Sequence, residues 1–227
     1  MTPRQTLPVL ALTLGAAASA LAGTITGTVT AQGPDTGPTA AGRYGSRTLR
    51  LAEKTDYEAF TDFVVYINQE VPGAPTVPAT AEVQQKGATF IPYVLPIAVG
   101  TTVSWPNLDS IFHNVYSPAD SPQGFDLGLY EGGDDPPQHR FDQVGRVDVF
   151  CAIHSRMHCI VLVVPNAFFA RVDSRGRFTI PNVPPGTYRL RAWHDRLPPK
   201  EIEIVVPEQG EVTSDFVLSP GGVAAPN

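Results

Sequence analysis

Cysteine is almost missing from this chain of 227 residues, which has only two, Cys151 and Cys159. Two thiols are too few for a disulfide scaffold or a four-thiolate zinc site. Charge is scarce as well. Charged residues make up 17% of the sequence, well under the roughly 25% of an average soluble protein. The balance is acidic, with a formal net charge of -6. The most basic stretch, Arg43 to Lys54, also carries Glu53. Nucleic acid and anionic lipid both need clustered Lys and Arg, so neither is expected as a partner. No run beyond the N-terminal region approaches the ~20 apolar residues of a membrane span. Helical periodicity is nearly absent, and neither a G-x-S-x-G elbow nor an H-E-x-x-H motif occurs.

The N-terminus has one charge, Arg4, then an apolar run from Leu7 to Ala18 and the small-residue pattern Ala20-Leu21-Ala22. This order reads as a secretory signal peptide over residues 1–22, cut after Ala22. The apolar run is too short for an anchor. The mature protein is then expected in the periplasm or outside the cell, where thiols oxidise unless a metal or burial protects them.

What the chain does have is proline and glycine, 23 and 20 residues, punctuating short alternating runs. In Thr24 to Thr30 every other residue is Thr, with Ile25 and Val29 on the opposite face. Val147, Val149 and Cys151 share one face with Arg146 and Asp148 on the other, and Ile202, Ile204 and Val206 alternate with Glu201 and Glu203. This period of two predicts an all-β protein. Breaks at Val71 to Pro78 and at Val164-Pro165-Asn166 leave 78–165 as one small sandwich. The flanks hold two strands (24–30 and 63–68) and about five (168–173, 177–181, 187–194, 201–206 and 212–218). Two strands cannot bury a core alone. The flanks 23–77 and 166–220 are therefore expected to form one outer sandwich carrying the other at a loop tip, with 221–227 as a disordered tail. Residues 31–62 resist assignment.

The chemistry concentrates in Phe150-Cys151-Ala152-Ile153-His154-Ser155-Arg156-Met157-His158-Cys159. Cys151, His154 and Met157 follow the spacing C-x2-H-x2-M, and His113 lies upstream on an expected strand end. One thiolate, two imidazoles and one thioether suit copper. A Cys at a strand end, a His three on and a Met three further can wrap a tight loop around one ion.

With these residues in view, 78–165 resembles a cupredoxin of the amicyanin or plastocyanin type. Val99 to Asn107 matches the strand before the first histidine, His113-Asn114-Val115 the first-ligand motif, and Gly145 to His154 the strand into the ligand loop. The resemblance implies a Greek-key sandwich with one type 1 copper, ligated by His113, Cys151, His154 and Met157. It implies that Asn114 ties the first-ligand strand to the Cys loop. The flanks resemble carboxypeptidase regulatory-like, transthyretin-type sandwiches through Val172 to Ile180, Val183 to Tyr188 and Ile25 to Val29. Both together resemble secreted proteins labelled methylamine-utilisation-like.

Three positions depart from the cupredoxin pattern. Ser155 stands where proline is usual, His158 where a small residue is usual, and Cys159 adds a second thiol. A Cys151–Cys159 disulfide and competition by His158 for the axial position stay open, as does Cys159 as an apolar filler. The expected function is one-electron transfer by a monomeric, non-enzymatic blue copper protein with an unknown redox partner. A copper carrier or a metal-free binding module are the alternatives. His139 and His194 are expected to have no functional role.

Overall fold

The computed structural model describes residues 22–33, 55–72, 74 and 80–220. The expected signal peptide (apart from Ala22), the tail 221–227, and parts of 31–62 and of the 71–78 break lie outside the described residues. In chain order the strands begin with β1 (Gly23–Ala31), β2 (Val64–Ile67), β3 (Thr80–Glu82), β4 (Gln84–Gln85), β5 (Phe90–Ile91) and β6 (Val94–Ala98). They continue with β7 (Thr101–Ser104), β8 (His113–Ser117), β9 (Phe125–Tyr130), β10 (Gln138–Phe141), β11 (Gly145–Phe150) and β12 (His158–Val164). The last are β13 (Phe169–Arg171), β14 (Arg177–Val183), β15 (Gly186–His194), β16 (Leu197–Val206), β17 (Glu211–Thr213) and β18 (Phe216–Leu218). The described residues are all-β, and no helix among them is long and apolar enough to cross a membrane.

The larger sheets stack as four layers separated by three apolar seams. The first layer is β14-β1-β17, with β18 also on β1. Its inward residues Ile25, Val29, Phe178, Ile180 and Phe216 meet Val65, Ile67, Leu190 and Ile204 of the second layer, β13-β2-β15-β16. The far face of that second layer supplies Val64, Tyr66 and Trp193. They pack on Val94, Ile160, Leu162 and Val164 of the third layer, β6-β12-β11-β8-β9. The third layer's other face, with Val147, Val149, Val161 and Val163, closes on Val103 and Phe141 of β10-β7-β3, with Trp105 between.

Two strands sit between seams, and their composition shows why. In β12, Cys159, Val161 and Val163 face one seam and Ile160, Leu162 and Val164 the other. In β2, Val65 and Ile67 face one seam and Val64 and Tyr66 the other. Continuous apolar runs are what a strand covered on both faces requires.

Strand β1 joins the N-terminal flank to the C-terminal one. It pairs antiparallel with β14 and parallel with β17 and then β18. The single strand expected over 212–218 is broken at Ser214-Asp215. There the Ser214 N–H donates to the Thr26 carbonyl at 2.8 Å. The Asp215 carboxylate accepts from the Thr28 N–H and hydroxyl at 2.8 and 2.7 Å. The crossing is close, since a Cβ on Gly27 would lie 1.7 Å from the Ser214 carbonyl oxygen.

Two expectations follow. Gly27→Ala should lower stability by about 1–3 kcal/mol or more, read as a lower denaturant midpoint. Tyr93 donates its hydroxyl to Asp195 across the middle seam at 2.9 Å. Burial and that carboxylate push its phenol up from 10.0 to about 12. The unfolded chain therefore loses this proton first, and the stabilisation fades as pH rises from about 10 to about 12. The midpoint of Tyr93→Phe should fall less steeply over that window than that of the native chain.

Candidate metal centre

Strand β8 begins at His113, strand β11 ends just before Cys151, and β12 begins just after Met157. The loop between the last two is a closed turn. The Cys151 N–H donates to the Met157 carbonyl at 3.1 Å, and the Met157 N–H donates to the His154 carbonyl at 2.9 Å. Antiparallel pairing of β11 with β12 sets Val149 opposite Cys159 and Phe150 opposite His158. Val149, Cys151, Met157 and Cys159 all lie in the same core seam.

This turn brings three donor atoms together. His113 Nδ1 and His154 Nδ1 lie 3.1 Å apart, and Cys151 Sγ is 3.6 Å from His154 Nδ1. All three lie within 4.8 Å of one another. Imidazole and thiolate bonds to a divalent ion are about 2.0–2.3 Å, so both named spacings are short enough for one ion to touch both atoms. His113 is fully buried, Cys151 4% exposed and Met157 1% exposed, while His154 is partly exposed.

The tautomer of His113 is set from behind. Its Nε2 lies 2.9 Å from Asp109 Oδ2. Asp109 also accepts the backbone N–H groups of Gly87 and Ala88 at 2.7 and 2.9 Å. Those two amides, with His113, hold the Asp109 carboxyl down at about 2. An ionised carboxylate is acceptor only, so His113 must carry its proton on Nε2. That leaves the Nδ1 lone pair directed at His154 and Cys151. The Asp109 N–H is itself held by Asn107 Oδ1 at 3.0 Å.

Asn114 links strand β8 to the turn that carries Cys151. Its backbone N–H donates to Cys151 Sγ at 3.4 Å, and its Oδ1 accepts the Ala152 N–H at 3.2 Å. Its amide nitrogen donates to Asp126 and to the Gly128 carbonyl at 2.7 and 3.1 Å.

The other candidates fall away from the triangle. His158 turns its Nε2 to Asp148 at 2.9 Å and stacks on Phe150, so its ring is engaged on the opposite face of β12 from Cys159. Burial pushes the Asp148 carboxyl up, but its bonds to Arg146 and His158 outweigh this and hold it below the ordinary range. Cys151 and Cys159 are both free. Burial pushes the Cys159 thiol up, and a protonated buried thiol acts as a small apolar filler. His139 stacks on Phe125, and His194 lies against Phe60 and Phe63. The sequence reading missed Asp109 and Asn107, although the spacing N-x-D-x3-H before the first histidine carries them.

Comparison with known proteins adds three findings. Residues 166–214 match the family described as polysaccharide lyase family 4, domain II. This is not the carboxypeptidase regulatory-like, transthyretin-type family suggested by the sequence, and that resemblance is corrected. Alternation and an Asp-Ser-Arg-Gly turn are common to small sandwiches and do not separate such families. Among curated proteins, none matches the chain.

Solved structures similar to part of the chain include cupredoxins and a copper enzyme. A copper-containing nitrite reductase from Thermus scotoductus is 26% identical over 44% of this chain and 26% of its own, with a TM-score of 0.37. A reduced amicyanin variant is 23% identical over 44% of this chain and 97% of its own, with a TM-score of 0.35. A purple cupredoxin from Nitrosopumilus maritimus is 30% identical over 37% of this chain and 98% of its own, at 0.32. With TM-scores this low, the functional reading rests on strand pairing and the donor triangle rather than on these overlays.

Because Asp109 selects the His113 tautomer, Asp109→Ala should weaken metal binding about 10–100-fold. A competition titration with a chelator of known affinity measures this.

Proposed function

We propose that the chain is a type 1 copper protein that carries single electrons, in the periplasm or outside the cell after cleavage behind Ala22. Residues 78–165 form its copper domain, inserted between 23–77 and 166–220 of an outer sandwich. We read it as a monomeric carrier rather than an enzyme.

The observation that carries this reading is the triangle of His113 Nδ1, His154 Nδ1 and Cys151 Sγ, closed within 4.8 Å. Two imidazoles and one thiolate with a weak thioether are the donor set of an electron-transfer copper centre. Met157, buried on the same loop, is the thioether of that set. Copper, when bound, supplies cycling between its one- and two-positive states. The protein supplies a rigid frame. Asp109 orients His113, the Asn114 N–H steadies the Cys151 sulfur, and the bonded turn limits movement of Cys151 and Met157 relative to each other.

His154 is the proposed exit for the electron. It is the partly exposed member of the set and is preceded by Ile153, which is 50% exposed. Phe112, next to His113, is 51% exposed, and Leu129, paired with Asn114, is 59% exposed. Large apolar side chains left in water beside a buried redox centre favour a dry contact with a protein partner.

The test is reconstitution of the protein with Cu(II) and a visible spectrum. An intense thiolate-to-copper absorption is expected in the native chain and should vanish in Cys151→Ser. A colourless native protein, or a Cys151→Ser variant that keeps the band, overturns the proposal.

A further inference from the structure

The polar groups bridging the middle seam form one connected path that ends beside the metal loop. In the outer sandwich, Asp195 sits in the β15–β16 turn. Its carboxylate accepts the Tyr93 hydroxyl at 2.9 Å and lies 3.2 Å from His194 Nδ1. Its backbone carbonyl accepts Arg146 Nη1 at 3.0 Å. Arg146 in turn grips Asp148 with two bonds, Nε at 2.8 Å and Nη2 at 2.7 Å. Asp148 Oδ1 holds His158 Nε2 at 2.9 Å. The His158 ring stacks on Phe150 at 4.7 Å and meets the edge of Tyr93 at 5.6 Å.

The two stacked residues are placed where they matter. Phe150 precedes Cys151, His158 follows Met157, and the pair faces each other across the β11–β12 ladder. Exposed ion pairs contribute little to stability, and Arg146 and Asp148 are 38% and 34% exposed. A planar guanidinium fork, however, fixes direction as well as distance. We propose that Arg146 is a positioning residue through which the outer sandwich sets the conformation of the metal-binding turn, by holding Asp148 and with it the His158–Phe150 stack that flanks Met157 and Cys151. The inference rests on the copper reading for its purpose, but the coupling itself is a property of the protein alone.

The test uses the full chain with 13C-labelled methionine methyl groups. Only Met1 and Met157 contribute signals, and Met157→Leu identifies the second. In metal-free protein, Arg146→Leu should move the Met157 resonance. Tyr93→Phe, which keeps the ring and removes only the bond to Asp195, should move it less and in the same direction. After Cu(II) loading, the ratio of the thiolate-to-copper bands should shift in the same order. A Met157 resonance and band ratio unchanged in both variants, with only the thermal midpoint lowered, overturns the inference and leaves these bonds a merely structural role. If Arg146→Leu does not fold, an unmoved resonance in Tyr93→Phe overturns it alone. A native chain that takes up no copper but shows the metal-free shifts upholds the coupling and sinks only the copper reading.

Discussion

The structure depends on strand β12 being covered on both faces. Its odd-numbered residues, Cys159 to Val163, close the seam beneath the candidate metal centre, and its even-numbered ones, Ile160 to Val164, close the seam against the outer sandwich. A strand in that position cannot slip by one residue without exchanging its two faces. The same strand starts directly after Met157, and its ladder with β11 sets where Cys151 ends. Register, the packing of one sandwich on the other and the placement of two candidate ligands are therefore one constraint.

The donor triangle is built by opposing demands on neighbouring groups. Asp109 is kept ionised by two backbone amides, and a buried imidazole behind a fixed acceptor has only one way to carry its proton. The Nδ1 lone pair this leaves lies 3.1 Å from His154 Nδ1, in the same cluster as the Cys151 thiol. A soft cation is the occupant this donor set favours. Cys159, only two residues from Met157, escapes that chemistry because its surroundings are hydrocarbon and its thiol stays protonated.

Much of this was legible in residue order. Alternation marks β1, β11 and β16, and C-x2-H-x2-M with His113 upstream names the donors. Other features were not. The break at Ser214-Asp215 comes from Thr26 and Thr28, almost two hundred residues away, so nothing local announces it. The identity of the outer sandwich was misjudged because its turn and strand pattern are shared by many small sandwiches. Asp109 carried a readable spacing, but its role depends on Gly87 and Ala88 in a distant hairpin. The continuous apolar runs in β2 and β12 could have been read as strands buried on both faces, but a run alone does not say which layers will cover it.

The sequence by itself determined the fold class and the donor types, because side-chain period and ligand chemistry are local properties. It also determined the closed turn, since three-residue spacings leave Cys151, His154 and Met157 within reach of one another. Only the tertiary structure decided that His113 joins them, which nitrogen it offers, that His158 turns away to Asp148, and that the two sandwiches share a seam. Those outcomes hang on contacts between residues far apart in the chain, where long-range packing and a single ionised carboxylate override anything neighbouring residues could specify.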